Sequence, residues 1–346
     1  MTGAHHLGVV LGCIALAGCS SAGGGGGGSG ADGGDGGGEA SVDGNGGTLD
    51  GGADGQGASD SSMIHEGSSG GEAATEAGHT DSGATWWQPG TGALPWQWEL
   101  DHEIVTTSAS DMGTGDTTYT GSAAAAPLVY DIDGFDNTSG DVAALHALGK
   151  KVICYVEVGA AESNRPDYAQ FPTADLGTVV PSYPSEKYLN ILDPAVTTII
   201  EARISMCAQK GFDGIEPDID DSYTDSTGFT ITQASNVAYL ANLSAYAHSL
   251  GVAWGLKNGG DGGDPATFVP QMLPYVDFAV VEEPFFLTTI SFFEPTFSGA
   301  GKAMFVAEYT SDTASSTTFC PGAISDKTNA ALFDVALDGV VRNPCQ

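Results

Sequence analysis

Eight short apolar runs, each stopping at a polar or acidic residue, divide the chain between Leu94 and Gln346. They fall at residues 96–100, 128–133, 152–159, 188–193, 212–216, 252–258, 278–283 and 303–309. Runs of this length read as strands buried on both faces. Between several of them the apolar spacing is helical. Residues 141–148 form one such pattern and stop at Gly149. A second opens at Pro194, where proline is tolerated in a first turn, and runs through Ile199, Ile204 and Cys207 to Gly211. A third covers 232–250, with Val237, Leu240, Leu243 and Tyr246 on one face. The spacing also predicts a closing helix over 329–337. Alternating strands and helices imply a parallel sheet with right-handed crossovers. Eight strands in about 250 residues fit an α/β fold of the (β/α)8 TIM-barrel type better than the alternative, an open doubly wound sheet. Residues 161–187 read as loop, which makes the barrel irregular.

The chain ahead of residue 94 is a different polymer. Residues 7–17 are an apolar core too short to span a bilayer, which needs about 20 residues, and fit the hydrophobic region of a secretory signal. Leu16-Ala17-Gly18-Cys19 resembles the lipobox of bacterial lipoproteins, although no Lys or Arg precedes it. Residues 1–19 are therefore expected to be a lipoprotein signal, with Cys19 acylated. Residues 20–93 are Gly, Ser, Asp and Glu with almost no large apolar side chains. Such a segment cannot offset its ordering entropy by burial, and it is expected to be a disordered tether. Residues 94–346 form the folded domain, expected to be a monomer exported and held at the cell envelope by lipid alone.

Ten Lys and Arg against 44 Asp and Glu give a net charge of −34. That excess argues against a nucleic-acid partner and suits a neutral or cationic substrate. Of six cysteines, four lie in the domain. Cys320 and Cys345 are the more plausible disulfide, clasping the C-terminus. Cys154 reads equally well as a buried thiol or as half of a second bond with Cys207. No metal spacing is evident. Residues 218–223 begin like a calcium loop but place Tyr223 where glycine is needed. Residues 259–264 match one calcium-binding repeat without a second copy. No cofactor is expected.

The acids are distributed unevenly along the strands. The C-terminal ends of the runs carry Asp131 and Asp133, Glu157 with Glu162 beyond it, Asp193, Glu216 and Asp218, Glu282 and Glu283, and Glu308. The approaches to the runs carry Lys150, Lys151, Lys210 and Lys302 instead. In a barrel of this type the active site lies at the C-terminal ends of the strands. Paired carboxylates there suit glycoside hydrolysis, one protonating the leaving oxygen while the other attacks the sugar or activates water.

The segments YDIDGFD (130–136), VICYVEVGAAESNRPD (152–167), KGFDGIEPDIDDSYTDSTGF (210–229), GLKN (255–258), FAVVEEPF (278–285) and GKAMFVAEYT (301–310) together resemble glycoside hydrolase family 114. Its members are TIM-barrel endo-α-1,4-polygalactosaminidases. The resemblance implies that Glu216 is a catalytic carboxylate, with Glu162 or Asp133 as its partner. It also implies a substrate-binding mouth drawn from Asp131, Tyr155, Asp218, Tyr223, Lys257, Asn258, Glu283 and Glu308. Asp220, Asp221 and Asp225 are expected on the loop as rim or capping residues. The chain departs from the family pattern at Val156-Glu157-Val158 and after Asp218. A polysaccharide partner follows, an amino-sugar polymer. The alternative is a surface lipoprotein that binds polysaccharide without cleaving it.

Overall fold

The structure, a computed structural model, describes residues 85–259, 264–313 and 315–346. The expected signal, Cys19 and most of the tether lie outside the described residues, as does most of the 259–264 motif.

Strands β1 (Trp96–Glu99), β2 (Val129–Asp133) and β3 (Lys151–Glu157) open the barrel. A separate antiparallel sheet follows, made of β4 (Ala160–Glu162), β5 (Leu176–Val180) and β6 (Tyr183–Leu189), in the order β4-β6-β5. The barrel resumes with β7 (Gly214–Asp218), β8 (Ala253–Lys257), β9 (Phe278–Glu282), β10 (Ala303–Tyr309) and β11 (Asn329–Phe333). A last strand, β12 (Arg342–Pro344), pairs antiparallel with β11. The sheet order is β1-β2-β3-β7-β8-β9-β10-β11-β12, parallel from β1 through β11. Helices α1 (Ser139–Ala147), α2 (Pro194–Lys210), α3 (Gln233–Ser249), α4 (Pro265–Met272), α5 (Ile290–Gly299) and α6 (Cys320–Ser325) fill the crossovers after β2. Caps set their bounds. Asp193 accepts the Ala195 amide before α2, and Gly211 ends it with φ +94°. This is the expected (β/α)8 plan, without a helix between β1 and β2.

Two strand expectations shift. The run at 188–193 lies outside the barrel, because β3 pairs directly with β7. Its first residues belong to the inserted antiparallel sheet, which also replaces the loop expected over 161–187. The eighth barrel strand is instead β11, where a helix was expected. All five of its residues are buried, with Ala331 and Phe333 toward the interior and Ala330 and Leu332 toward the helices. A short apolar run buried on both faces has no period that separates strand from helix.

The interior is filled by aromatic rings. Trp96 lies 5.4 Å from Phe305 and 5.3 Å from Phe333, and Phe305 lies 5.9 Å from Phe278. The Trp96–Phe333 contact joins the first barrel strand to the last parallel one. Arg342 reinforces that seam by donating from Nε to the Trp96 carbonyl at 2.6 Å. Phe278 has room because two glycines face it. A Cβ on Gly255 would lie 2.7 Å from its ring and 3.0 Å from the Ile215 carbonyl oxygen, and one on Gly214 would lie 3.1 Å from the ring. The glycine in the Phe212–Glu216 run is thus a packing requirement of the barrel.

Two buried disulfides cross-link the fold. Cys154 on β3 is bonded to Cys207 on α2, and Cys320 on α6 to Cys345. Closing loops of 53 and 25 residues contributes about 3–4 kcal/mol each in the chain-entropy view.

Gly255→Ala is expected to lower unfolding stability by about 1–3 kcal/mol, read from urea denaturation. Phe278→Leu in the same chain should recover part of that loss, because it removes the ring that the new methyl meets. An additive double mutant would contradict this packing.

Candidate active site

Side chains alternate along a strand, so every second residue enters the barrel. On β7 the inward positions are Gly214, Glu216 and Asp218; on β8 they are Ala253, Gly255 and Lys257; on β9, Phe278, Val280 and Glu282. The lower members fill the aromatic layer. The upper members, Glu216, Asp218, Lys257 and Glu282, form the floor of the mouth.

Lys257 is their centre. Its ammonium lies 2.9 Å from Glu216 Oε1, 3.3 Å from Asp218 Oδ1 and 3.4 Å from Glu282 Oε2. The Trp98 and Tyr155 rings lie 4.9 and 5.7 Å from it, within cation–π reach. Burial on its own would lower the Lys257 pKa, but Asp218, Glu216 and Glu282 reverse that and hold it well above the ordinary lysine value. Lys257 is therefore a fixed positive charge.

The three carboxylates are not equivalent. Glu216 has no exposed surface; Trp98 Nε1 donates to its Oε2 at 3.2 Å. Neither oxygen of Asp131 meets an N–H or O–H donor; its hydrogen-bonding neighbour is Glu216. Two carboxyl groups in contact must share a proton. Burial raises both, and the Glu216 charge drives Asp131 further, well above the usual carboxylate range. By contrast, the side chains of Asp218 and Glu282 reach solvent, at 22% and 16% exposure. The Tyr155 hydroxyl donates to Asp218 Oδ2 at 2.6 Å. The Tyr309 hydroxyl donates to Glu282 Oε1, and Asn258 Nδ2 donates to its Oε2 at 2.9 Å. Because both touch one ammonium, their Lys257-facing oxygens are less than about 7 Å apart.

The chain turns sharply just after each of these strands. Ile219, Asn258 and Glu283 have φ of +53°, +51° and +50°. Left-handed backbone costs a non-glycine residue about 1–3 kcal/mol where packing enforces it. The Asn258 side chain accepts the Glu282 amide at 2.8 Å, so this residue also ties β8 to β9.

Other residues singled out in the sequence have different duties. Asp133 is buried and saturated. It receives both terminal nitrogens of Arg165, at 3.1 and 2.6 Å, and the amides of Phe135 and Asp136 at 2.7 and 2.8 Å. Glu162 is held by Arg165 Nε at 2.7 Å on the inserted sheet. Glu308 lies on the helix-facing side of β10, where it accepts the Phe285 and Phe286 amides and the Thr313 hydroxyl. Glu283 is buried beyond β9, its pKa pushed up to about 8 by burial and then by Asp312 and Glu308. The Tyr223 ring packs 5.1 Å from Phe268, toward the helix layer. Asp220, expected on the rim, is buried and accepts the Lys257 amide at 3.0 Å. Strand parity was the signal for Glu282, which the expected mouth omitted, and it would have separated Glu282 from Glu283. Nothing local to Trp98 marks its bond to Glu216.

Among the described residues, two acidic groups have ligand atoms within 4.8 Å of one another: Glu99, His102 and Asp111, and Glu157, Glu162 and Glu186. In the first, His102 uses Nδ1 toward Glu99 at 3.1 Å and Nε2 toward Asp111 at 3.4 Å. It bridges the carboxylates, and its two nitrogens cannot meet one ion.

A parallel barrel whose mouth holds two solvent-reaching carboxylates on one lysine has the frame of a glycoside hydrolase. The model of glycoside-hydrolase family GH114 matches residues 76–345, and the chain belongs to that family. Among solved structures it is similar to Ega3 of Aspergillus fumigatus, determined in complex with galactosamine. The identity is 29%, covering 74% of this chain and 96% of that one, with a TM-score of 0.63. The glycoside hydrolase domain of PelA from Pseudomonas aeruginosa shares the fold at 12% identity, over 70% of this chain and 96% of that one, with a TM-score of 0.52. A search of curated protein sequences found no match. The chain is a glycosidase.

Lys257→Met leaves three carboxylates around an uncharged side chain. It is expected to lower stability at pH 7 by about 3–5 kcal/mol. Without the ammonium, burial drives the Glu216 pKa still further above its unfolded value near 4.3. The deficit should therefore shrink as pH falls toward that value and widen above it. Unfolding midpoints from pH 4 to 8 check the sign; a deficit independent of pH would contradict the charge role.

Proposed function

We propose that the enzyme hydrolyses an α-1,4-linked galactosamine polymer, with Asp218 and Glu282 as the reacting carboxylates and Glu216 as the group that positions Lys257. One observation carries the assignment. Lys257 gathers three carboxylates, and only Asp218 and Glu282 among them reach solvent. Glu216, the catalytic acid that the sequence resemblance implied, has no exposed surface and is bonded by Trp98 and Lys257, which supports giving it the positioning role.

An oxygen separation bounded at under about 7 Å by the shared ammonium admits the roughly 5–5.5 Å of retaining enzymes and excludes most of the 6.5–9.5 Å range of inverting ones. In a retaining reaction one carboxylate attacks the anomeric carbon while the other, protonated, gives its proton to the departing glycosidic oxygen. A glycosyl–enzyme ester forms and the C–O bond breaks. Water then attacks the ester and returns a proton to the second carboxylate. Lys257, Tyr155, Tyr309 and Asn258 hold the two acids in place throughout. Support for the substrate comes from the net charge of −34 and from the likeness to Ega3, solved with galactosamine. For export and a lipid anchor at Cys19 on a monomeric enzyme, the support is the sequence reading alone.

The full chain is expected to release oligosaccharides from α-1,4 galactosaminan. Asp218→Asn and Glu282→Gln should each reduce kcat by about 10²–10⁴-fold, with Glu216→Gln affected less. Proton NMR of the first product should show the α-anomer. Activity surviving in both variants, or a β-anomeric first product, would overturn the assignment or the stereochemistry respectively. Azide rescue of Asp218→Gly or Glu282→Ala separates the attacking carboxylate from the proton donor.

A further inference from the structure

Trp98 enters the site from the far side of the barrel. It lies on β1 and is 1% exposed. Its indole N–H reaches Glu216 Oε2 on β7 at 3.2 Å, and its ring lies 4.9 Å from the Lys257 ammonium on β8. Strands β1 and β8 stand four places apart in the sheet order, so the contact with Lys257 crosses the interior instead of following the sheet. The Tyr309 ring, whose hydroxyl donates to Glu282, lies 6.4 Å from the Trp98 ring. One side chain thus meets the deepest acid, the ammonium that the acids share, and the tyrosine that holds Glu282.

Packing alone does not call for this. Trp96 is the next inward residue of the same strand, stacked on Trp98 at 5.6 Å and equally buried. Its Nε1 meets no acceptor among the described residues, so Trp96 acts by filling space. The Trp98 N–H ends instead on a carboxylate with no exposed surface. An indole nitrogen can only donate, and a donor favours the charged form of the acid that accepts from it. Burial raises the Glu216 pKa and the Lys257 charge opposes that rise; the indole N–H acts in the same sense as Lys257. Without it, Glu216 would take a proton or draw the ammonium deeper. Either change alters how Lys257 is divided between Asp218 and Glu282.

We propose that Trp98 is a positioning residue for hydrolysis: its N–H fixes Glu216, its ring faces Lys257, and together they keep the ammonium shared between Asp218 and Glu282. This rests on the reading of those two carboxylates as the reacting pair.

The test is a double-mutant cycle in the full chain. Trp98→Phe keeps a ring beside Lys257 and removes the N–H, with circular dichroism to confirm its fold. Its kcat on α-1,4 galactosaminan should fall about 10-fold with KM unchanged. In a Glu216→Gln background the same change should cost less than about 3-fold, because a hydrogen bond to a neutral acceptor contributes less than one to a carboxylate. Equal losses in the two backgrounds, or a loss through KM alone, would make Trp98 a packing residue and overturn the proposal. If Glu216→Gln by itself abolishes cleavage, the reading of the reacting pair fails, and spectroscopy decides whether Trp98 fixes Glu216. The chain has five tryptophans. With their indole nitrogens isotopically labelled, Glu216→Gln should move one indole N–H resonance upfield and leave the others in place. That result supports the contact even if Trp98→Phe does not fold. A spectrum in which no indole resonance moves overturns it.

Discussion

One buried cation organises the mouth of this barrel. Lys257 has almost no exposed surface, and its ammonium touches Glu216, Asp218 and Glu282, from strands on both sides of its own. A buried ammonium is stable only with partners, and buried carboxylates only with a cation or a proton. Here both remedies are used. Lys257 serves three acids, and burial beside Glu216, the deepest of them, pushes the Asp131 pKa well above the usual carboxylate range. The arrangement leaves two carboxylates facing outward, fixed near each other and held by tyrosine hydroxyls.

That arrangement depends on backbone as much as on charge. Strands β7, β8 and β9 each end on a charged residue that belongs to the site, and the chain leaves each through a left-handed residue. Strain of this kind persists where surrounding contacts enforce it. Below, Phe278 fills the interior between Gly214 and Gly255, and the aromatic layer closes the floor on which Lys257 stands. The inserted sheet β4-β6-β5 adds further acids, with Glu162 and Glu186 close to Glu157 at the end of β3.

Much of this was legible in the residues. Seven of the eight runs located barrel strands or their immediate approaches, the exception being 188–193, and the acid-rich strand ends pointed to the mouth where Lys257 gathers its carboxylates. Asp131, Tyr155, Asp218, Lys257 and Asn258 do converge there. Two kinds of information were missing. Short runs buried on both faces carry no period, so Asn329–Phe333 was indistinguishable from a helix. Long-range pairing is also invisible locally. Nothing near Asp133 announces that Arg165 saturates it, and nothing near Glu216 announces that Trp98 and Lys257 enclose it. Parity was available, however. Counting alternate residues from Phe278 places Glu282 inward and Glu283 beyond the strand, and counting from Phe305 turns Glu308 toward the helices.

The most direct measurement is a crystal structure of the full-length Asp218→Asn protein with a galactosamine oligosaccharide spanning the mouth. The scissile linkage should lie between residues 218 and 282. One of these side chains should come within about 3–3.5 Å of the anomeric carbon and the other within hydrogen-bond reach of the glycosidic oxygen. A linkage seated against Glu216, or one over Asp133 and Glu162 with residues 218 and 282 out of contact, would contradict the role given to Lys257 and its two outward carboxylates.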